Sequence, residues 1–539
     1  MGTRHRWVVI VAGALAILPR LAAAQDIEAP AARIPGREMS AAYVEQLRQK
    51  ALAYRALGGW IARVDRTVAA SQPVTGDLPL VALPALFLDS PDPVYTADDL
   101  SRILFDGPAE DGTLAEYYAE VSGGRLAIYG EVGPWVQTSL TLEEVVGSEY
   151  GLGDDARTGE YLVEALTLVD PGIDFGLYDN DGLDDVPNSG DDDGIVDAVA
   201  FYFPAISASC GGDGIWPHFW GISGWTEQPF VTDDPRPGGG WVEVDPYFVQ
   251  SIVTCDGADI TPITTVAHEL GHNLGLPDLY HPVDGILPQQ RRWVVGCWSL
   301  MAAGSWGCGE VGPRTGWRRP THFGAWEKRV LGWLDEIEVV PAAELLEMTL
   351  APVQANREIL EIPLGVSERL LVEYRERTGF DLNLPAEGVL IYRVNDTVPW
   401  RPCPTCLKIY GVSLVEADGD STLLKTALEG GNWGEPGDAF GALGPGTLTG
   451  ATEPSTRLDG GVGGSSGVNI YEVTLGEGSA NILVSTVAIS LDRLLGPLLL
   501  DDANPLTEHE QTFLDARNNG NGRYDVGDLR SYLHGPGQQ

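Results

Sequence analysis

Apolar residues occur along the first part of the chain in two patterns that predict different elements. Continuous or alternating apolar runs predict strands, whereas apolar residues at helical spacing predict amphipathic helices. The predicted strands are residues 80–89, 126–132 and 196–203, and the predicted helices are residues 98–104, 114–121 and 157–168. Strands mixed with helices in this way are consistent with an α+β fold.

A β-rich region begins at about residue 336. Apolar runs at residues 359–364, 370–374 and 389–393 predict strands, and Gly-rich loops between residues 429 and 467 separate further short strands. Because short strands separated by turn residues are typical of all-β domains, we expect a β-sandwich-like domain over residues 336–490.

The N-terminus has the three parts of an export signal. Basic residues at 4–6 precede an apolar run at 7–18, and three alanines at 22–24 form a small-residue cleavage site. The apolar run is too short to cross a bilayer. Residues 1–24 are therefore predicted to be a signal peptide, and the protein is expected to be secreted and to have no membrane span.

Residues 25–76 contain a predicted helix, residues 39–70, and end in a predicted linker, residues 71–76. The helix has a local excess of basic residues, opposite in charge to the rest of the chain. Two interpretations stay open. The segment is either a pro-region that is removed or an N-terminal helix that remains attached.

The whole chain is strongly acidic. Its 77 acidic and 34 basic residues give a formal net charge of −43. Because such a surface repels phosphate backbones, nucleic acid is excluded as an expected partner. The length of 539 residues predicts several domains and not one core.

Six cysteines suit an oxidising compartment. Pairing between neighbours is the most economical arrangement: 210 with 255, 297 with 308, and 403 with 406. Cys403 and Cys406 also have the spacing of a redox or metal motif. The βαβ pattern expected around a redox motif does not surround them, which favours a short disulfide-closed loop.

Residues 268–278 carry the strongest chemical signal in the chain. His268 and His272 are four residues apart, so a helix places both imidazoles on one face, within reach of one metal ion. Glu269 lies next to the first histidine, where it can accept a proton from water at the metal. This spacing is that of a catalytic zinc helix.

The residues after His272 predict a third ligand. Gly275 can adopt a left-handed conformation and Pro277 cannot continue a helix, so the chain turns back and can bring Asp278 to the metal. Three protein ligands with one open position are typical of catalytic zinc, whereas structural zinc usually has four.

Two other interpretations of the motif compete with this one. In the first, the histidines are ordinary buried residues, since Val266, Leu270 and Leu274 give the helix a packing face. In the second, a later helix supplies the third ligand. That arrangement requires the helix to continue past the second histidine, against the helix-ending residues that follow it.

The pattern His-Glu-x-x-His-x-x-Gly-x-x-Asp followed by Leu-Tyr, at residues 268–280, resembles the motif of the immune inhibitor A group of secreted bacterial metalloproteases, the M6 peptidases. Residues 116–126, 297–306 and 320–334 resemble further segments of that family. The resemblance implies a metzincin-like zincin catalytic domain over residues 77–335. It also implies that Met301 is the methionine of a Met-turn beneath the metal, and that Asp278 replaces the third histidine of most metzincins.

Two acidic turns that contain glycine, at residues 179–185 and 191–197, precede the zinc motif. Alternating carboxylates around a tight turn offer several oxygens to a hard cation, so we expect a structural Ca²⁺. The candidate ligands are Asp179, Asp181, Asp191, Asp193 and Asp197. The other interpretation is a pair of solvated turns without an ion.

The tail, residues 491–539, carries a segment at 514–529 that resembles one dockerin repeat, which is half an EF-hand loop followed by a short helix. The candidate calcium ligands are Asn519, Asn521, Asp525 and Asp528. Arg517 occupies the first ligand position and cannot coordinate, so Asp515 is its possible substitute. Dockerins use two repeats and only one is clear here. A cohesin-like or cell-surface partner and a small calcium-dependent folding module therefore both stay open.

These observations predict a secreted zinc endopeptidase that hydrolyses peptide bonds in extracellular proteins, with Glu269 as general base. Tyr280 and His218 are candidates for an additional oxyanion donor. The alternatives are a calcium-dependent adhesion protein on a degenerate protease fold, and a scaffold component in which proteolysis is incidental. The intact Glu269 and the complete ligand set argue against the degenerate fold.

Overall fold

The computed structural model describes residues 73–282, 288–308, 319–340, 345–397, 410–441, 443–461, 463–486, 491–499, 506, 508–515 and 521–534. The predicted signal peptide and residues 25–72 of the following segment lie outside these ranges. So do the predicted 403–406 cysteine pair and the candidate ligand Asn519.

A six-stranded sheet forms the centre of the N-terminal half. The strands in this half are β1 (Gly76–Leu86), β2 (Leu126–Val132), β3 (Val136–Gln137), β4 (Val199–Phe203), β5 (His218–Gly221), β6 (Phe230–Pro235), β7 (Trp241–Val244) and β8 (Pro246–Ser251). The sheet order is β2-β1-β4-β8-β5, with β3 paired to β1, while β6 and β7 form a separate two-stranded sheet. Only the β5–β8 pair of the six-stranded sheet is antiparallel. Strand β1 lies inside this sheet, which explains its continuous apolar run.

The helices of this half lie between the strands. They are α1 (Ala97–Ser101), α2 (Leu114–Ser122), α3 (Leu142–Val146), α4 (Thr158–Val169), α5 (Ser223–Thr226), α6 (Thr264–Asn273) and α7 (Ala325–Leu331). The predicted helix at residues 98–104 is divided, because α1 changes into a π-helical turn at Arg102–Asp106. The mixture of helices and sheet confirms the α+β prediction.

Helix α2 shows how local sequence sets the ends of an element. The Thr113 hydroxyl accepts a hydrogen bond from Glu116 N, and the Glu116 carboxylate accepts one from Thr113 N at 2.8 Å. This capping box begins the helix. Gly123, at φ +66°, ends it in the left-handed conformation. The helix is thereby fixed so that Tyr118 Oη can donate to the carbonyl oxygen of Ala267 in α6, at 2.7 Å.

The C-terminal half is built from two further sheets. The remaining strands are β9 (His281–Pro282), β10 (Arg291–Arg292), β11 (Glu336–Val339), β12 (Leu345–Leu350), β13 (Glu358–Pro363), β14 (Glu368–Arg375), β15 (Gly388–Asn395), β16 (Val412–Leu414), β17 (Asn469–Gly476) and β18 (Ser479–Ser485). One sheet has the order β11-β13-β14-β15-β16 and the other the order β12-β18-β17, while β9 pairs with β10. Side chains of both larger sheets share one buried apolar cluster, with Val372 on one side and Ile482 on the other.

One large buried cluster extends from the first half of the chain into the second. It contains Leu80 of β1 and Leu270 of α6, together with Leu371 of β14 and Leu390 of β15. The predicted regions 77–335 and 336–490 therefore share part of their core.

Four short helices complete the described chain. They are α8 (Val353–Asn356), α9 (Leu491–Leu499), α10 (Glu508–Asp515) and α11 (Val526–His534). Leu494 and Leu514 of this tail are buried in one cluster with Tyr471 of β17. Among the helices described here, none combines the length and the apolar character that crossing a membrane requires.

Candidate metal centre

The two motif histidines lie on α6 and are buried, with 0% and 6% exposure. Nδ1 of His268 is 2.9 Å from the carbonyl oxygen of Leu300, and Nδ1 of His272 is 2.9 Å from that of Leu276. A carbonyl oxygen only accepts, so each Nδ1 carries the hydrogen. In the neutral ring, Nε2 then keeps its lone pair, which is the protonation state that a metal-binding histidine needs.

A tight turn after α6 brings Asp278 back to the histidines. Gly275 adopts the predicted left-handed conformation, at φ +96°. Its N–H donates to the carbonyl oxygen of His272 at 2.9 Å, and Leu276 N donates to that of Gly271 at 3.0 Å. The helix therefore ends where the sequence predicts, and it does not continue towards a later ligand.

The ligand atoms have spacings that fit zinc. Oδ1 of Asp278 lies 3.2 Å from Nε2 of His268 and 3.4 Å from Nε2 of His272. Ligands about 2.0 Å from a tetrahedral zinc are about 3.3 Å apart. Two imidazole nitrogens and one carboxylate oxygen are also donors that zinc accepts. Geometry and donor chemistry therefore both fit one zinc ion.

The charge state of Asp278 supports this assignment. The carboxylate is buried, with 1% exposure. Burial raises its pKa, but positive charge on the neighbouring His272 and His268 outweighs that effect and holds the pKa well below its usual value. When the two rings are neutral, a bound metal ion would supply the positive charge in their place. The side chain is therefore an anion, which is the form that binds a metal. Glu269, which precedes Leu270 on helix α6, is also buried, with 1% exposure.

The methionine named by the family resemblance lies against helix α6. Met301 is completely buried, and a Cβ added to Gly271 would be only 2.6 Å from its Sδ. Met301 N donates to Ser299 Oγ at 3.0 Å, and its carbonyl oxygen accepts from Leu279 N at 2.7 Å. This turn therefore supports both the helix and the segment that carries Asp278.

A buried charged network behind this turn was not identified as functional from the sequence. Ser299 Oγ donates to Glu327 in the Trp-Glu-Lys segment, and Arg375 Nη1 donates to the Trp298 carbonyl oxygen at 3.2 Å. Arg375 also bonds to Asp381, with Nε 2.7 Å from Oδ2. The only sequence signal for this network was a set of charged residues within apolar runs.

The environment of Glu327 is set by burial. Burial raises its pKa to about 7, although hydrogen bonds from Ser299 and from Gly324 N act in the opposite direction. The nearby Glu373 carboxylate contributes to the increase, while Lys328 acts against it. The pKa of Glu327 therefore lies close to neutral pH, directly behind the turn that supports helix α6.

Two disulfides confirm the predicted neighbour pairing within the described residues. Cys210 pairs with Cys255, and Cys297 pairs with Cys308. The second disulfide closes the segment that contains Met301. It therefore restricts the turn that packs against helix α6.

The two proposed oxyanion donors differ in their surroundings. His218 Nδ1 lies 2.7 Å from the Trp216 carbonyl oxygen, and its Nε2 lies 2.8 Å from Tyr247 Oη. Burial lowers its pKa to about 4. Both ring nitrogens are thus engaged within the fold, so His218 is not available as an oxyanion donor. The ring of Tyr280 is covered by the Arg291 guanidinium, 4.2 Å from its centroid.

The structure brings together three of the five acidic residues predicted to bind calcium before the zinc motif. Asp179, Asp181 and Asp193 each offer a carboxylate oxygen within 4.8 Å of the others. Burial, followed by the neighbouring carboxylates, raises the pKa of Asp179 to about 7. Asp191 instead accepts from Leu183 N at 2.6 Å.

Asp197, the fifth acidic residue of this region, connects the acidic loops to helix α6. Asp197 Oδ2 accepts from Asn180 N at 2.7 Å. The backbone carbonyl oxygen of Asp197 accepts a hydrogen bond from Nδ2 of Asn273, at the end of α6, at 2.9 Å. The acidic loops and the end of helix α6 are therefore in direct contact.

The described part of the tail folds around Asp515. Its carboxylate accepts from Asn521 N at 2.8 Å and from Gly522 N at 2.7 Å. Gly522, the predicted turn glycine, has φ +79°. Asp528 Oδ2 accepts from Asp525 N at 2.6 Å. Asp515 thus faces the loop from the position where a substitute first ligand was expected.

Comparison with known proteins places the metal centre inside a recognised region. Residues 101–334 match the family described as "Immune inhibitor A peptidase M6, catalytic domain". The chain is 27% identical over 230 residues to the pre-pro-metalloprotease PrtV of Vibrio cholerae, a match that covers 41% of this chain and 23% of that protein. It is 29% identical over 264 residues to the immune inhibitor A of Bacillus thuringiensis subsp. alesti, covering 43% and 34%.

The resemblance to the M6 catalytic domain is therefore confirmed for this region. The match reaches only 23% to 34% of the length of these curated relatives. The whole chain's activity, its substrates and its partners are accordingly matters of proposal.

Proposed function

We propose that the chain is a secreted zinc-dependent endopeptidase. The single observation that carries the proposal is the convergence of His268, His272 and Asp278 at spacings that fit one zinc ion. The match to an M6 catalytic domain over residues 101–334 supports the same conclusion independently.

The residues of the site suit peptide hydrolysis. Zinc supplies a Lewis acid that polarises a carbonyl and lowers the pKa of water. Glu269 accepts a proton from the attacking water while the water oxygen bonds to the scissile carbonyl carbon. Glu269 then returns that proton to the amide nitrogen as the carbon–nitrogen bond breaks, which releases a free amine and a carboxylate.

The surroundings of the site keep its parts in place. Hydrogen bonds from both Nδ1 atoms fix the orientation of the two imidazoles, so that each Nε2 is directed away from the backbone. The turn around Met301 packs against the helix between the two histidines. Such support reduces the reorganisation needed during reaction, which is the general advantage of a preorganised site.

The test is cleavage of casein by the purified chain and by its Glu269→Gln variant. The substitution keeps the shape of the side chain but removes its basicity, so we expect activity to fall by about 10²-fold or more. The zinc content should stay at one ion per chain. The control is Glu387→Gln, which removes an exposed carboxylate of the β-rich region. A zinc-loaded chain that cleaves no protein would instead favour the adhesion protein on a degenerate fold.

Three further features belong to the same proposal. We infer export through the predicted signal peptide, and N-terminal sequencing of the secreted protein should show that residues 1–24 have been removed. We also infer a structural Ca²⁺ near Asp179, Asp181 and Asp193, supported by their grouped carboxylates. For the tail, calcium-dependent folding is tested by circular dichroism of the full chain. Binding to a cohesin-like partner is tested by pull-down with and without calcium.

A further inference from the structure

A separate group of carboxylates lies between residues 416 and 438, on loops that pack against the turn leading to Met301. Asp418, Glu435 and Asp438 each offer one carboxylate oxygen within 4.8 Å of the other two. Glu416 and Asp420 form a second such group with Asp418. The sequence did not single out these residues.

Asp438 points to a ligand in this group. Its side chain is completely buried. Oδ2 accepts from Trp298 Nε1 at 3.0 Å and from Glu435 N at 2.8 Å. Oδ1 is also buried, yet no group in the described part of the chain donates a hydrogen bond to it. A buried carboxylate oxygen without a donor is costly, and a cation would remove that cost.

The nearest lysine in this loop, Lys425, donates to the backbone carbonyl oxygen of Asp420 and not to a carboxylate. Within the described ranges, no Lys or Arg side chain forms an ion pair with any of the five carboxylates. Burial, together with the neighbouring carboxylates, raises the pKa of Asp438 to about 7 and that of Glu416 to about 8. The fold thus holds like charges together, a situation that a bound cation relieves.

A glycine makes room for this arrangement. A Cβ on Gly437 would be only 2.1 Å from Asp418 Oδ2. The backbone of Gly437 is outside the left-handed region, so its conformation does not require glycine. The absence of a side chain at 437 is therefore what allows the Asp418 carboxylate to approach the other two.

We propose that Asp418, Glu435 and Asp438 bind one Ca²⁺. Calcium takes oxygen ligands at about 2.3–2.6 Å, so two of its ligands are at most about 5 Å apart, and the 4.8 Å limit of this group fits that sphere. A set made only of oxygens, part buried and part exposed to water, suits calcium. It does not suit zinc, which prefers nitrogen and sulfur ligands.

Calcium at this site would support the zinc centre from behind. Its ligand Asp438 accepts from Trp298, and Cys297 N donates to the Trp433 carbonyl oxygen at 2.7 Å. The same segment continues to Leu300, whose carbonyl oxygen orients His268. Calcium binding therefore fastens the 433–438 loop onto the segment that holds a zinc ligand.

The experiment measures bound calcium in the full chain carrying Glu269→Gln, which prevents self-digestion. Calcium per chain is determined after dialysis, and Tb³⁺ luminescence excited through tryptophan reports occupancy beside Trp298. Asp438→Asn and Gly437→Ala should each remove one calcium ion per chain, or weaken its binding about tenfold or more, and reduce the Tb³⁺ signal.

The two variants are complementary. Gly437→Ala keeps every carboxylate and displaces only the exposed Asp418 side chain, so it decides the question even if Asp438→Asn fails to fold. The matched control is Asp233→Asn. It belongs to another group of three carboxylates, with Asp170 and Asp234, in which no buried oxygen lacks a donor. If Gly437→Ala binds calcium and Tb³⁺ as the parent protein does, the proposed site is refuted.

Discussion

Gly271 lies between the two motif histidines on α6. We predict that an alanine at this position collides with the side chain of Met301 and that this collision cancels the stability that alanine normally adds to a helix. The added methyl group would be 2.6 Å from Met301 Sδ, well inside normal contact distance. Met301 is completely buried and forms part of the turn that supports the helix. The side chain must therefore move within a packed core.

The expected magnitude follows from two opposing effects. Alanine in a helix interior is favoured over glycine by about 1 kcal/mol. Overpacking a buried site costs about 1–3 kcal/mol, and the flexibility of methionine places this case towards the lower end. In a Met301→Ala background the contact is gone and only the helix preference remains. The two substitutions should therefore couple by about 1–3 kcal/mol in a double-mutant cycle.

The assay is the thermal midpoint of the zinc-dependent unfolding transition, measured for the four proteins of the cycle in the Glu269→Gln background. Gly271→Ala alone should lower the midpoint or leave it nearly unchanged, whereas in the Met301→Ala background it should raise the midpoint. Additive effects, with Gly271→Ala equally stabilising in both backgrounds, would mean that Met301 does not press on the helix.

Three other predictions concern groups around the same centre. Glu327 has a pKa of about 7 in the folded protein against an ordinary value of 4.5. Its burial therefore does not reduce the free energy of unfolding below about pH 4.5, where the carboxyl is protonated in both states. As pH rises through 7, the free energy of unfolding falls by at most about 3 kcal/mol, because the unfolded state loses this proton more readily. Glu327→Gln should flatten the decline of the thermal midpoint between these pH values, and an unchanged decline would contradict this. Replacing Cys297 and Cys308 by serine should weaken zinc binding about tenfold or more, measured by chelator competition, because the closed segment carries Met301. Asp278→His adds one positive charge to the site relative to the carboxylate. It should shift the acidic limb of the kcat/KM pH profile to lower pH, and a limb that stays in place or moves upward would count against this reasoning.

Much of the centre could be predicted from local sequence because its parts are local. The spacing of His268 and His272 sets their common helix face, and Gly275 sets the turn that returns Asp278. These relations span eleven residues, so backbone geometry alone determines them. Strands β1, β2 and β4 and helices α2 and α4 could be located for the same reason, whereas strands β5 and β8 of the same sheet and the π-helical end of α1 were not predicted.

The supporting network could not be predicted because its members are far apart in sequence. Glu327 bonds to Ser299 across 28 positions, and Arg375 reaches the Trp298 carbonyl oxygen across 77 positions because β14 packs against the first half of the chain. Asp438 meets Trp298 across 140 positions. Such contacts cannot be predicted from the periodicity of apolar residues or from the spacing of motif residues. A buried charge in a strand is a hint that a partner exists, but it does not identify the partner.

His218 shows the converse error. As a histidine upstream of the motif it was a reasonable oxyanion donor, but β5 places it in the sheet with both nitrogens engaged by Trp216 and Tyr247. Residue type alone could not distinguish this structural histidine from a functional one. Its surroundings depend on strand pairing, which the local sequence does not specify.

The central claim is that His268, His272 and Asp278 together hold a single zinc ion. Anomalous diffraction at the zinc absorption edge, from crystals of the Glu269→Gln protein, tests it most directly. We predict one strong peak about 2.0–2.2 Å from Nε2 of both histidines and from a carboxylate oxygen of Asp278. A zinc ion bound elsewhere, or one whose third protein ligand is not Asp278, would contradict the account.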